Sequence, residues 1–578
     1  MAALIGAVAG ALSPLGADDF LHVDRRGRAR GVSRADAFAL DRCTAFQPVE
    51  IHLRALVDGG MPEAVARETM ARLRGAGLLV DFASLLADAD DPGDAAPAPP
   101  PLLVPRSWHR PTGLARRLAS IRPAEVRHDA AYRVAVVDDT DDPWFAACTR
   151  EVVRQHAREA RGRVSLLGTC ERNAALARLS AHAPPASREA LRGLLDPAVP
   201  SAITGARSWN WGLLLAAGET LSILDDDTCL PLRWPDDGGD AWDPADASEA
   251  GVRFFDDDGH LSAAELAVEP FGWLGRRLGR SAAGLLRTGW REAVLRGRSA
   301  AEFLHVSSGA RTVGVVSGLY GGLALDTSAY AIASNGYSVA SLWRAPFASA
   351  RLDADRVWHA YPNPRLASHA VYTPLLLDAR DPLPFAGTWG RVDDQYFLSL
   401  LRAVAAPVAF AHVPAMLGHL DLAPRHRAAN AVRPLAVDAN LFLAHLFGRW
   451  GDGLAPGSRW GRLAAIGAIA AEWAEAGDRA LGDAWVAFRR AMRQRVVERG
   501  ALLLGDPAAP PVWRDAVGEL VAANREAILA DSSSVAELEV LRRGLQQVAD
   551  AVPAWCAAWA ACADDRTLRE DLAAVVVG

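Results

Sequence analysis

Three consecutive aspartates, Asp225, Asp226 and Asp227, stand out in this sequence as residues able to do chemistry. They directly follow the short apolar segment from Leu221 to Leu224, which has the composition of a buried strand. In open α/β sheets, ligands bind beyond the carboxyl ends of the strands. Adjacent carboxylates repel one another unless a cation neutralises them. Because hard oxygen ligands favour Mg²⁺ or Mn²⁺, the segment predicts a divalent cation that bridges to substrate phosphates.

Two further elements must position these acids and complete a site. The apolar stretch from Ser208 to Ala217, which Gly218 ends, predicts a helix packed beneath the sheet. A second acidic pair, Asp393 and Asp394, begins a predicted helix far downstream. Carboxylates are favoured at helix starts by the free N–H groups and the dipole. Capping is therefore an alternative to catalysis for Asp393.

The order of helix, strand and acids resembles the donor-binding half of family 2-like glycosyltransferases with the GT-A fold. Those enzymes have an Asn-x-Gly helix, an apolar strand and an Asp-x-Asp motif. Here the helix is matched by Asn210-Trp211-Gly212 and the acidic motif by residues 225–227. The resemblance implies a nucleotide-sugar donor, most simply a UDP-sugar, whose diphosphate is held by Mn²⁺ or Mg²⁺.

The resemblance also implies roles for the acids of the first motif. Asp225 would lie near the nucleotide ribose, and Asp226 and Asn210 would also bind the donor. Asp227, together with Asp225, would ligate the metal.

In the second motif, Asp393-Asp394 stands where the family has Glu-Asp. Asp394 would then take the proton from the acceptor hydroxyl, with Asp393 as its helper, in an inverting transfer. A metal-ligating histidine often follows in such enzymes. Of His412, His419 and His426, His419 fits best by spacing.

The family usually carries a Pro-x-Tyr/Phe-Asn turn after its first strand. The strand-like segment that starts at Tyr132 is interpreted as the beginning of the sheet, and it runs into Asp138 and Asp139 instead. We expect these acids to meet the base or ribose of the donor, and a solvated loop is the alternative. Arg207 or Arg172 would neutralise the diphosphate through bidentate contacts.

Composition excludes several classes of protein. All 62 basic residues among the 578 are arginine, so a P-loop, a pyridoxal-phosphate Schiff base and a protein-kinase site lack their lysine. A net charge of -7 gives no electrostatic basis for nucleic-acid binding. The six cysteines include no Cys-x-x-Cys pair and favour a reducing, cytoplasmic location. No apolar stretch is long enough to predict a membrane span.

The composition and the hydrophobic pattern of the chain predict four parts. Residues 1–87 have the pattern of a winged-helix module and weakly resemble the PqqD-like peptide-recognition domains of ribosomal-peptide tailoring enzymes. Residues 88–128 are interpreted as a Pro-rich linker. Residues 129–433 are predicted to form an α/β, GT-A domain with a mostly parallel central sheet. Residues 434–578 are predicted to form a helical bundle.

The sequence therefore predicts a metal-dependent glycosyltransferase of the hexosyltransferase class. The acceptor would be a hydroxyl or thiol. The N-terminal resemblance implies a peptide acceptor or a leader peptide docked on the module, and a generic winged domain used for oligomer contacts is the alternative. A metal-dependent nucleotidyltransferase or phosphohydrolase is one alternative. A non-catalytic sugar-nucleotide or peptide-binding scaffold is another.

Overall fold

A computed structural model defines most of the chain. It describes residues 4–24, 28–87, 89, 91–196, 205–225, 227–236, 238–244, 251–254, 263–287, 289–292, 295–303, 306, 309–321, 357–370, 373, 375–390, 392–419, 433–455, 457–509 and 511–576.

The elements follow one another in a mixed order. The N-terminal part contains β1 Leu4–Ala7, β2 Gly10–Pro14, β3 Asp19–Asp24, β4 Ala29–Ser33, α1 Arg34–Arg42, β5 Gln47–Pro48, α2 Val49–Asp58, α3 Glu63–Gly75, β6 Leu79–Asp81 and α4 Phe82–Ala87. The first half of the α/β part contains β7 Leu102–Ser107, α5 Pro111–His128, β8 Arg133–Asp138, α6 Pro143–Glu159, β9 Val164–Leu167, α7 Thr169–His182, α8 Arg188–Leu195, α9 Gly205–Leu215, β10 Thr220–Leu224 and β11 Thr228–Pro235.

The second half of the α/β part contains β12 Gly251–Phe254, β13 Ala263–Glu265, α10 Pro270–Gly275, α11 Ala282–Arg287, β14 Arg311–Gly321, β15 Val357–Ala360, β16 Arg365–Ala367, β17 Leu376–Asp378, α12 Asp393–Ala405 and β18 Val408–His419. The C-terminal part contains α13 Ala439–Gly453, α14 Arg459–Ala474, α15 Asp478–Leu504, α16 Pro511–Leu529, α17 Val535–Asp564, α18 Arg566–Asp571 and β19 Ala574–Val575.

A large sheet organises the molecule, in the order β13-β11-β18-β14-β17-β10-β7-β8-β9-β19. β10, β7, β8 and β9 are parallel neighbours. β14 and β18 are parallel to each other and run in the same direction as β10, because the antiparallel β17 lies between β14 and β10. β13 also runs in this direction, because the antiparallel β11 lies between it and β18. Seven of these ten strands therefore share one direction, which confirms the predicted α/β class with a mostly parallel sheet.

Two apolar layers enclose this sheet because its strands alternate their side chains between the faces. Leu103 and Val136 pack on one side with α5, α10 and α11. Val104 and Val137 pack on the other side with α7, α8, α9 and α12. The same second layer contains Trp555 of α17, so the C-terminal helices cover a face of the sheet. The predicted helical C-terminal region is confirmed.

The prediction of a linker over residues 88–128 was wrong. Leu102–Ser107 is β7, which lies between β10 and β8 inside the sheet, and Pro111–His128 is a long helix. Within the strand, Pro105 lies near its end, opposite Leu224. Pro111 occupies the first turn of α5, where its missing N–H costs no intrahelical bond. The parallel unit thus begins at β7, and the segment from Tyr132 contains its second strand.

The N-terminal part shares a core with the rest of the molecule. Phe46 packs against Phe82 and Phe303 with ring centroids 5.8 and 5.6 Å apart. Its N–H donates to the Arg298 carbonyl at 2.6 Å. Within this part, β3 and β4 are antiparallel neighbours, which pair from Asp19↔Ser33 to Val23↔Ala29. Removing residues 1–87 would therefore expose apolar surface of the α/β part.

Candidate active site

The site is built where two parallel strands end at one edge of the sheet. Leu224 of β10 lies opposite Pro105 of β7, so Asp225 and Arg106 emerge side by side. An Arg106 Nη2–H donates to Asp225 Oδ1, and Nη1–H donates to the Gly205 carbonyl at 2.9 Å. The Asp225 side chain is 41% exposed and its arginine partner 14%. The carboxylate can therefore meet a ligand while the guanidinium behind it is held.

The second acidic pair reaches the same guanidinium. A Cβ placed on Gly205 would lie 2.8 Å from Asp393 Oδ2 and 3.6 Å from Arg106 Nη1. The positive charge of Arg106 acts on both Asp225 and Asp393. The structure thus brings near one another two acidic motifs that are far apart in sequence, and the charge of Arg106 acts on both.

This arrangement gives the carboxyl groups of Asp225, Asp393 and Asp394 different pKa values. Burial opposes the ionisation of Asp225, but the charge and hydrogen bond of Arg106 outweigh it and lower the pKa. Burial raises the pKa of Asp393, although Arg106 acts in the opposite direction. Burial and the neighbouring Asp393 carboxylate raise the pKa of Asp394 to about 6. A carboxylate with this pKa is suited to general-base chemistry near neutral pH.

A strained residue sets the start of the helix that carries these acids. Val392, which immediately precedes Asp393, has φ 60° and ψ 38°. A β-branched residue rarely adopts this left-handed conformation, and such strain concentrates at functional sites. The turn directs residues 393 and 394 from the first turn of α12 toward Arg106.

Because glycine adopts this conformation without strain, Val392→Gly is expected to stabilise the protein by about 1 kcal/mol. Val392→Ala keeps a Cβ and should gain less. Thermal unfolding of the two variants and the wild type measures the difference. A melting temperature that falls in the glycine variant would contradict a strained turn.

A second cluster lies two residues beyond Asp225, at the end of the acidic loop formed by residues 225–227. Asp227 Oδ1 is 3.5 Å from His419 Nε2, and Asp227 Oδ2 is 3.5 Å from Nη1 of Arg110. The Asp227 and His419 side chains are each 10% exposed. Antiparallel pairing of Thr228 with His419 fixes their proximity, because the end of β18 lies against the start of β11. The structure therefore brings together Asp227 and the histidine that spacing favoured.

The predicted alternatives to His419 do not share its position. His412 lies earlier in β18, and its Nε2 is 3.1 Å from the carbonyl of His369. His426 and Asp226 lie outside the described residues.

Arginines supply positive charge beside the acidic loop. Arg106 and Arg110 contact Asp225 and Asp227 directly, and the charge of the buried Arg117 is felt by Asp225. These guanidinium groups therefore relieve the repulsion among the acids. The sequence predicted only a metal ion in this role. The signal that could have found Arg106 was its position near the end of β7, the first strand of the parallel unit, just before Trp108.

Asp227 and His419 suit a divalent ion that takes its other ligands from water and substrate phosphate, as Mg²⁺ commonly does. The described residues contain no group of three or more His, Cys, Asp or Glu side chains arranged to hold a metal. Asp225, the other predicted ligand, is paired with Arg106. The fit thus rests on one carboxylate and one imidazole.

The environment of Asn210 does not suit the donor-binding role that was predicted for it. The side chain is fully buried in α9. Its Nδ2 donates to the carbonyls of Leu194 and Ala386 at 3.1 and 3.0 Å, and its Oδ1 accepts from the Ala386 N–H at 2.7 Å. Asn210 therefore fixes the segment before α12 and cannot contact a donor directly.

Asn210→Ala is expected to lower the free energy of unfolding by about 2–4 kcal/mol, because it leaves buried backbone groups without partners. Urea denaturation measures this loss, with the exposed Gln546→Ala as the matched control. A change below about 1 kcal/mol would contradict the positioning role.

The surroundings of three further predicted donor-binding residues also differ from those expected: Asp138, Asp139 and Arg207. Asp139 is 2% exposed and pairs with Arg172 Nη1 at 2.6 Å and Arg207 Nε at 2.8 Å. Asp138 is equally buried and accepts from the Thr140 hydroxyl at 2.6 Å. These acids are enclosed, and both arginines predicted to meet the diphosphate are engaged with Asp139. In this arrangement Asp138 and Asp139 are not accessible to a donor.

Comparisons with known proteins add little. No family model matches the chain, and no curated protein matches it by sequence. A solved structure described as a heterocyclase in complex with substrate and cofactor is similar over 29% of this chain and 23% of its own, at 14% identity and a TM-score of 0.13. A TM-score this low carries no argument about fold or function. Among the described residues, no helix is both long and apolar enough to cross a membrane.

Proposed function

We propose that the protein is a metal-dependent glycosyltransferase with a GT-A catalytic domain, and that it uses a nucleotide-diphosphate sugar. The observation that carries the proposal is the shared Arg106, which joins the acidic loop at Asp225 to the helix start at Asp393. Neither acidic motif alone would support a transferase, since acidic loops and capped helices are common. Together they supply a donor side and an acceptor side within one site.

The proposed reaction divides the work among the residues. Asp394 accepts the proton of the acceptor hydroxyl, whose oxygen forms a bond to the anomeric carbon. The bond from that carbon to the diphosphate breaks, and its electron pair leaves with the phosphate oxygen. Attack on the face opposite the leaving group inverts the anomeric centre. A divalent ion held by Asp227 and His419 would stabilise the charge that develops on the diphosphate.

Exposed aromatic rings beside the acidic loop support a nucleotide donor. His109 stacks between Trp108 and Phe145, with centroids 4.9 and 5.3 Å away and interplanar angles of 23° and 15°. Trp108 is 48% exposed. Trp108 and His109 follow β7 directly and precede Arg110, which contacts Asp227. Aromatic side chains with a free face stack on nucleobases.

The test is incubation with a panel of nucleotide-diphosphate sugars and Mn²⁺, followed by measurement of released nucleotide. We expect one UDP-sugar to release UDP, and a chelator to stop the release. Release of UMP together with a sugar phosphate would instead identify a phosphohydrolase. Donor binding with no turnover in the presence of acceptor would identify a scaffold.

We further propose that the acceptor is part of a peptide that docks on the N-terminal part of the chain. β4 lies at one end of the β2-β3-β4 sheet, and its residues are exposed except for Val32. An extended peptide can add to such an edge as a further strand. A peptide that is glycosylated should slow amide exchange at residues 29–33. Unchanged exchange there would exclude this edge as the docking surface.

A further inference from the structure

A buried arginine behind the acidic loop has no role in the proposed reaction. The side chain of Arg117 in α5 is fully buried, at 0% exposure. Within the described part of the chain, its Nε, Nη1 and Nη2 atoms have no hydrogen-bond acceptor. Burying a charge in this way is costly unless other charges compensate for it.

The position of Arg117 identifies the compensating charges. The Ser120 hydroxyl, one turn further along α5, accepts the N–H of Leu230 at 3.1 Å. α5 therefore packs on β11 where that strand leaves the acidic loop. Cys229 and the carboxylates of Asp225 and Asp227 act on the guanidinium and favour its charged form. Burial lowers the pKa of Arg117 to about 10, which still leaves the group charged at neutral pH.

Arg117 differs from the two other arginines near the loop. The Arg110 side chain is 49% exposed, and Arg106 hydrogen-bonds directly to Asp225. Either can change partners when a ligand arrives. Arg117 is enclosed between α5 and β11 and cannot follow a ligand, so it contributes a fixed positive charge behind the acids.

We propose, building on the function proposed above, that Arg117 makes binding of the divalent ion depend on the diphosphate. Its fixed charge weakens the attraction of the acidic loop for a bare cation. The same charge strengthens attraction for the anionic diphosphate, so the ion is retained well only with its phosphate ligands. Arg117 is thus a positioning residue that acts through the field of the loop.

Calorimetric titrations with Mn²⁺ and with UDP, separately and together, test this proposal. In the wild type, we expect Mn²⁺ to bind at least about tenfold tighter when UDP is present. In Arg117→Met, Mn²⁺ alone should bind about tenfold tighter and UDP alone more weakly. Arg117→Lys, which keeps the charge, should behave as the wild type. Arg127→Met removes an exposed charge from the same helix and should change neither affinity.

Unchanged or weaker Mn²⁺ binding in Arg117→Met would overturn this inference alone, provided that the wild type binds both ligands. If the methionine variant does not fold, Arg117→Gln replaces it. The wild-type comparison is independent of both variants, and equal Mn²⁺ affinity with and without UDP would also overturn the inference. Absence of binding of either ligand to the wild type would refute the proposed function, and this inference with it.

Discussion

Asp394→Asn is expected to lower sugar transfer by about 10²–10⁴-fold while the donor still binds, because asparagine cannot accept the acceptor's proton. The side chain keeps its shape, and the oxygen that accepts the Gln395 N–H at 2.7 Å can be preserved. Calorimetry with the donor and an assay of transfer, run on the same preparation, separate binding from chemistry. Asp452→Asn, an exposed acid near Arg402 of α12, is the matched control.

The raised pKa of Asp394 predicts how the transfer rate depends on pH. Because burial and Asp393 raise the pKa of Asp394 to about 6, its base form is depleted below that pH. The transfer rate of the wild type should therefore rise as pH increases through about 6 and level off above it. A rate that is flat between pH 5 and 8, or an Asp394→Asn variant with full activity, would remove Asp394 from the mechanism.

Asp227→Ala is expected to abolish release of nucleotide from the donor. The substitution removes the carboxylate that lies 3.5 Å from His419 and 3.5 Å from Arg110, and leaves no acid between them. Loss of a side chain that binds the metal directly should lower the Mn²⁺ affinity at least about 10²-fold. Titration with Mn²⁺ in the presence of UDP measures this directly.

Asp236→Ala is the control for this variant, since Asp236 is an exposed acid that follows the same strand, β11. It should retain both Mn²⁺ affinity and turnover. Equal turnover in the Asp227 variant and the wild type would show that the acidic loop does not hold the ion.

Short-range patterns in the sequence singled out the acids that the structure brings near one another. An apolar strand followed by carboxylates and a helix that begins with two more carboxylates are local patterns, and they identified residues 225, 227, 393 and 394. The spacing that favoured His419 also places it beside Asp227. What the sequence could not supply was the source of compensating charge, because Arg106 and Arg117 belong to a strand and helix interpreted as linker.

That error has a physical origin. Prolines surround β7, and proline is usually excluded from inner strands because it lacks an N–H donor. Here Pro105 lies two residues before the end of the strand. Pro111 lies in the first turn of α5, where its missing N–H costs no intrahelical bond. The misassignment moved the predicted sheet start to β8, and with it the donor contacts to Asp138 and Asp139. The burial of Asn210 could not be predicted for a different reason. Its partner Ala386 is far away in sequence, and only tertiary packing brings the two together.

We propose that the acidic loop and the start of α12 form one site around a divalent ion and a diphosphate. Anomalous diffraction from crystals grown with Mn²⁺ and UDP would locate the ion and the nucleotide together. We predict a manganese peak in coordination contact with Asp227 and His419, with the diphosphate between that peak and Asp394. A manganese–UDP complex bound elsewhere on the molecule would contradict the account.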